Sequence, residues 1–262
     1  MQSPKTLFRF FFSISLCLSL CTLALGTPAD LSHRTTVYMV GDSTMANKSN
    51  PERNPEHGWG QVLHEFLSEG TVVHNHASGG RSTRSFVAEG RWDRVIEALQ
   101  SGDWVIIQFG HNDQKKKKPE LYTDPATDYR DFLKKFVEET RAKGGKPILA
   151  TSIYRRYFRE GQAKSSLGGY PQATREVAAE LEVPMVDLHQ LTGDLLNEYG
   201  EAGSKALFLH YEAGEHPYYP NGKRDNSHLS EAGARAVAAL FVEEVVNLQI
   251  DFPAQETQAA AK

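Results

Sequence analysis

The sequence of 262 residues is 40% hydrophobic and 24% charged, with Lys and Arg totalling 29 against 33 for Asp and Glu, a formal net charge of -4. That composition suits one large globular α/β domain and leaves little chain for a second independent core. The acidic balance gives no reason to expect a nucleic-acid partner.

Lys5 and Arg9 precede an apolar run, Phe10 to Leu25, which is short for a membrane span, and Ala24-Leu25-Gly26 resembles a small-x-small cleavage site. Residues 1–26 therefore read as a secretory signal peptide, with residues 27–252 as the domain that follows. The expected location is secreted or periplasmic, with no stable membrane association after cleavage. Both cysteines, Cys17 and Cys21, fall in the leader, so a mature chain would use neither disulfides nor thiol chemistry. Lipidation of Cys21 is disfavoured by Leu20, where a small residue would be expected.

Thr36 to Val40 is an unbroken apolar and β-branched run, the pattern of a strand buried on both faces of a parallel sheet, and Gly41 ends it. Asp42, Ser43 and Thr44 follow. Read alone, they are helix caps; at the carboxyl edge of an α/β sheet they also stand where ligands bind. Asn47 to Glu56 reads as a loop, Gly58 to Leu67 as a helix, Thr71 to His74 as a second strand, and Asn75 to Ser82 as a glycine-rich turn. A helix over Arg91 to Leu99 leads to a third strand, Asp103 to Phe109, which ends in Gly110-His111-Asn112-Asp113.

A helix over Thr127 to Lys143, stopped by Gly144 and Gly145, precedes a fourth strand, Lys146 to Ser152. Ile153 to Gly169 is a long basic and aromatic loop, Tyr170 to Leu181 a helix, Pro184 to Leu188 the fifth strand and Leu191 to Tyr199 another helix. Ser204 to Asn226 shows little periodicity. Ser230 is placed to cap a last helix, Glu231 to Leu248, and residues 253–262 read as a disordered tail. Five strands alternating with helices predict a parallel sheet covered on both sides. No Gly-x-Gly-x-x-Gly or Walker signature accompanies it.

Three strand ends thus offer Ser43, Gly79 with Gly80, and Asn112, all at one edge of the sheet, and Asp225-Asn226-Ser227-His228 sets an acid and an imidazole three residues apart on a tight turn. These are the parts of acyl transfer: Ser43 as nucleophile, His228 as base, Asp225 to orient it, and an oxyanion hole from Ser43, Gly80 and Asn112. His111 reads as a hydrogen-bonding residue that positions its turn, His74 and His76 as packing at a strand end, and Trp59 and Trp104 as core. His210, His216, His228 and Asp225 fit no familiar metal spacing, so no metal is expected.

The blocks Gly41-Asp42-Ser43, Asn75-x-Ala77-x-x-Gly80, Gly110-His111-Asn112-Asp113 and Asp225-x-x-His228 resemble those of the SGNH (GDSL) hydrolases. The resemblance implies a flavodoxin-like three-layer α/β/α fold with a five-stranded parallel sheet, the triad and oxyanion hole just given, and no cofactor. Gly58-Trp59-Gly60, the run from Gly80 to Arg91 and Gly214-Glu215-His216-Pro217 further resemble bacterial rhamnogalacturonan acetylesterases. Fungal members of that group carry disulfides, from which this chain departs. The resemblance implies an acetylated acidic polysaccharide as partner.

For such a substrate Arg81, Arg84 and Tyr154 are the candidate contacts, with Tyr157 and Phe158 as further sugar-stacking rings, while Lys115 to Lys118 read as a solvated basic field. The clustered Arg155, Arg156 and Arg159 would suit an acidic substrate only if they meet the same cleft. A monomer is expected. Two other functions fit the same residues: an acetylesterase acting on xylan or small esters, and a flavodoxin-like carbohydrate-binding module without catalysis.

Overall fold

The structure is a computed structural model and describes residues 35–255; the signal peptide expected at residues 1–26 lies outside them. Ten strands appear among the described residues: β1 Thr36–Gly41, β2 Glu56–His57, β3 Val72–Asn75, β4 Trp104–Gln108, β5 Lys146–Ala150, β6 Phe158–Arg159, β7 Gln162–Ala163, β8 Met185–Val186, β9 Phe208–Tyr211 and β10 Lys223–Ser230. The helices are α1 Trp59–Val62, α2 Thr83–Ala88, α3 Arg91–Ala98, α4 Asp128–Ala142, α5 Tyr170–Glu180, α6 Leu188–Gly203 and α7 Glu231–Asn247.

The central sheet has the order β3-β1-β4-β5-β8, and its pairings are all parallel. Its strands alternate between two apolar layers, as the period of an extended chain requires. Val37, Met39, Ile106, Ile148 and Val186 pack with α1, α6 and α7. Tyr38, Val40, Val105, Ile107 and Leu149 face the other way, onto Phe86, Trp92, Phe136 and Val177 of α2 to α5. This is the expected three-layer α/β fold. After β1 the chain turns to β3 on one side, and it reaches β4 only by crossing to the other side. The loops after β1 and β4 therefore diverge and leave a crevice at the carboxyl edge.

Several expectations are corrected in detail. The helix read over Gly58 to Leu67 is α1 followed by a 3-10 turn, Leu63–Phe66. A helix absent from the sequence reading, α2, follows Ser82, whose side chain accepts from Ser85 N while Ser85 Oγ accepts from Ser82 N; this reciprocal cap is encoded by two serines alone. The helix expected from Leu191 begins at Leu188, because the Asp187 carboxylate accepts from Gln190 N, and it bends at Gly200, whose φ is +64°. The loop from Ile153 to Gly169 contains the β6–β7 hairpin.

Ser204 to Asn226, read as irregular, contributes β9 and part of β10, which form a small antiparallel sheet in the order β2-β10-β9. Asp225 pairs with Leu209 and Leu229 with Phe208, so residues 226–228 bulge out of β10. The imidazole stands on this bulge and the acid on the paired residue just before it, rather than both on a tight turn, and a bulge re-aims side chains in the same way. Ser230 caps α7 as expected, accepting from Gly233 N at 3.1 Å. The chain also stays docked past Pro253: Gln255 N donates to Phe66 O at 3.0 Å and Ala254 O accepts from Ser68 Oγ at 2.8 Å. The remaining tail, 256–262, lies outside the described residues.

Candidate active site

Ser43 stands one residue beyond a carboxylate with no exposed surface. Asp42 Oδ1 accepts from Thr44 N at 2.9 Å and Thr44 Oγ1 at 2.8 Å, and Oδ2 faces His111 Nδ1 at 3.1 Å. Burial works against this charge, but His111 and the Thr44 donors outweigh it and hold the carboxyl down at about 2. The small turn residues read from the sequence as caps thus clamp the backbone around Ser43.

Ser43 Oγ lies 3.0 Å from His228 Nε2, and His228 Nδ1 lies 2.8 Å from Asp225 Oδ2. The bulge in β10 explains the second contact. It turns Ser227 N and His228 N onto Asp225 Oδ1 at 2.9 and 3.0 Å, so the carboxylate is fixed before the ring meets it. Half-burial opposes ionisation of Asp225, yet the His228 ring and these amides keep its carboxyl well below the usual range. An ionised acceptor at Nδ1 leaves Nε2 as the atom free to take a proton from Ser43.

The other strand ends converge here. Gly80 has φ +78°, a conformation that glycine adopts readily, and Gly79 lies alongside Ser43, where an added Cβ would be in ordinary van der Waals contact with Ser43 Cβ at 3.9 Å. Asn112 is buried; its Nδ2 donates to Arg81 O at 2.9 Å and its Oδ1 accepts from Lys115 Nζ at 2.5 Å. Beneath it, Asp113 Oδ1 accepts from Thr83 N, Thr83 Oγ1 and Thr123 Oγ1 at 3.0, 2.6 and 2.9 Å. That carboxylate ties the start of α2 to the loop after β4. Ser43, Gly79, Gly80, Asn112 and His228 line one cleft of about 510 Å³, within the range of small-molecule sites.

Residues 39–236 match the model of the GDSL-like lipase/acylhydrolase family. The chain belongs to that family. Among relatives of this GDSL-like hydrolase, the rhamnogalacturonan acetylesterase RhgT of Bacillus subtilis is 45% identical over 213 residues, 81% of this chain and 90% of that protein. The probable rhamnogalacturonan acetylesterase YesY of the same organism is 33% identical over 212 residues, 81% and 93% of the two chains. The solved structure of Bacillus subtilis YxiM superposes with a TM-score of 0.73 at 27% identity, covering 84% of this chain and 58% of that one. The acetylxylan esterase Axe2 of Geobacillus stearothermophilus shares the fold, with a TM-score of 0.59 at 21% identity over 80% of this chain and 94% of its own.

The candidate substrate residues of this GDSL-like hydrolase all have partners within the chain. Arg84 is turned from the cleft: its Nη2 lies 2.6 Å from Asp128 Oδ2, its Nε donates to Tyr122 O at 2.9 Å, and it stands over Phe132. Arg81 spends its guanidinium on Glu89 and Gly79 O and brings only its carbonyl to Asn112. Tyr154 packs its ring 4.2 Å from His189, in space that the missing Cβ of Gly193 leaves open. Tyr157 is exposed, and Phe158 packs beneath Arg156.

The cations that do line the cleft are Lys48, Lys115 and Arg155. Lys48 was hidden in a polar loop with no periodic signal, and Lys115 in a charge run whose other members leave the cleft, Lys116 standing over Tyr122. His111 has the positioning role read from the sequence. Trp59 and Trp104 are core, and His74 and His76 pack on Tyr38. His210 bonds Asn226 while His216 packs on Tyr211, and among the described residues no group of His, Cys, Asp and Glu is placed to hold a metal ion.

Proposed function

We propose that this GDSL-like hydrolase is a serine acetylesterase that removes O-acetyl groups from rhamnogalacturonan. The observation that carries the mechanism is the continuous line from Ser43 Oγ through the His228 ring to Asp225. The substrate reading is supported by the 45% identity to RhgT. A cleft lined by Lys48, Lys115 and Arg155 also suits a polymer that carries uronate charge.

In this reading Ser43 Oγ attacks the acetyl carbonyl as His228 Nε2 takes its proton, and Asp225 stabilises the imidazolium. The backbone N–H groups of Ser43 and Gly80, with Asn112 Nδ2, bind the oxyanion of the tetrahedral intermediate. The intermediate expels the sugar hydroxyl, which recovers the proton from His228. Water, deprotonated by the same imidazole, attacks the acetyl-serine; acetate leaves and Ser43 regains its proton.

The test is acetate release from acetylated rhamnogalacturonan and acetylated xylan by the wild type and by Ser43→Ala. Faster release from rhamnogalacturonan, abolished in the variant, is expected. Equal rates on the two polymers would overturn the substrate, and an active Ser43→Ala would overturn the mechanism. Export fits a polymeric substrate, and is tested by comparing the culture medium, periplasm and cytoplasm of expressing cells for the protein and its N-terminus.

A further inference from the structure

Each of the three cleft cations holds a different part of the proposed machinery. Lys48 Nζ donates to Ser43 O at 2.6 Å and pairs with Glu56 at 2.8 Å. Arg155 reaches Ser227 Oγ at 3.1 Å and His111 O at 3.2 Å, the residues beside His228 and Asn112. Lys115 alone acts on a side chain assigned to the oxyanion, through its 2.5 Å bond to Asn112 Oδ1.

A primary amide has two N–H donors and one carbonyl acceptor. In Asn112 the carbonyl is taken by the Lys115 ammonium and one N–H by Arg81 O, which fixes the amide plane and leaves one N–H for a ligand. A cation on the carbonyl oxygen draws electron density from the amide nitrogen, so the remaining N–H becomes a better donor. Asn112 is buried, so its own amide gains little competing solvation. Among the described residues Lys115 is within ion-pair distance of no carboxylate, so its charge is not cancelled locally.

The geometry points to Lys115 as a positioning residue of the oxyanion hole, whose ammonium locks the Asn112 amide and strengthens its free N–H toward the tetrahedral oxyanion. This rests on the serine-esterase reading above, and it takes Lys115 out of the solvated field to which its run of four lysines pointed. Burial lowers the Lys115 ammonium below the ordinary lysine range; Lys118 and Arg155 add to that and Asp42 opposes it. The support given to Asn112 should therefore fade in alkali sooner than an ordinary lysine would allow.

Hydrolysis of p-nitrophenyl acetate, a small neutral ester that needs no polymer contact, tests this across pH. Losing an oxyanion donor outright costs about 10²–10³ in turnover, so losing only its support in Lys115→Met should lower kcat about 5- to 30-fold with KM within about twofold. Lys115→Arg, which keeps the charge and cannot deprotonate in this range, should stay within about threefold of the wild type and move the alkaline fall in kcat to higher pH. In an Asn112→Ala background, Lys115→Met should cost less than about twofold more, since the two act as one unit.

A Lys115→Met kcat within twofold of the wild type, a full loss persisting without Asn112, or a change confined to KM would each overturn the assignment. So would an Asn112→Ala variant of undiminished rate. A wild type inactive on the ester, or an active Ser43→Ala, would instead show the serine-esterase reading itself to be wrong. Melting curves identify any variant that has lost its fold, and the pH profile of Lys115→Arg decides the matter where Lys115→Met does not fold.

Discussion

The buried carboxylate of Asp42 faces His111 Nδ1 across 3.1 Å, so the residue before Ser43 is tied to the residue before Asn112. Two strand ends that are 69 positions apart are thereby held in one register, and the proposed nucleophile and oxyanion donor share a single rigid support.

Asp42 should make stability depend on acid. Its carboxyl is held at about 2 in the folded chain against 3.8 normally, so its contribution is complete above about pH 4 and is lost as pH falls toward 2. Asp42→Asn should unfold at lower denaturant than the wild type at pH 5, and the gap should narrow by about 2 kcal/mol on acidification to pH 2. Urea unfolding across that range measures it; a gap independent of pH would count against the pairing.

Asp113 should do the opposite. Burial raises its carboxyl to about 6, the Thr83 and Thr123 bonds opposing and Asp42 adding to the rise, and among the described residues Oδ2 has no hydrogen-bond partner. A folded value above the unfolded one means that the charge is tolerated worse in the native state, so the penalty is absent below about pH 4 and grows as pH rises through 6. Asp113→Asn, measured against the wild type, should therefore gain on the order of 2–3 kcal/mol between pH 4 and pH 7. Melting temperatures at the two pH values report the sign directly.

Arg155 should matter to every ester, whatever its alcohol. With the Gln114 amide oriented so that its oxygen faces the guanidinium, that oxygen accepts from both terminal nitrogens, while Ser227, Ser166 and the His111 carbonyl take the other donors. A lysine cannot reproduce this planar fork. Arg155→Lys should lower kcat by about tenfold on neutral and acidic esters alike, since a 1 Å misplacement of catalytic groups costs about 10². A loss restricted to acidic substrates would make Arg155 a substrate contact instead.

Gly110, two residues before Asn112, is an exacting glycine. Its φ is +141°, and an added Cβ would lie 2.3 Å from Ser152 Oγ. Gly110→Ala should cost about 1–3 kcal/mol in backbone strain and displace the loop that carries Asn112, lowering both the melting temperature and kcat. A variant with wild-type melting and rate would show that the loop accommodates the methyl group.

Much of the architecture was legible along the chain. Apolar runs such as Thr36 to Val40 and Trp104 to Ile107 mark two-sided burial by composition alone, and Ser43, Gly80 and Asn112 lie in the turns after the first three strands, so their common edge was implied by strand direction. What escaped was settled by competition between partners distant in sequence. Arg84 follows the same turn as Gly80, yet Asp128 and the Tyr122 carbonyl claim its guanidinium.

The sequence by itself determined the five-stranded sheet, the strand ends that meet at its edge and the acid and imidazole three residues apart, because backbone direction and alternate burial are written in local residue patterns. Tertiary structure alone decided that a bulge of β10 carries His228 back over Asp225, that Tyr154 packs beside His189, and that Lys48, Lys115 and Arg155 line the cleft. A long side chain can reach several partners at similar cost, and only the folded chain brings the winning one within hydrogen-bond distance.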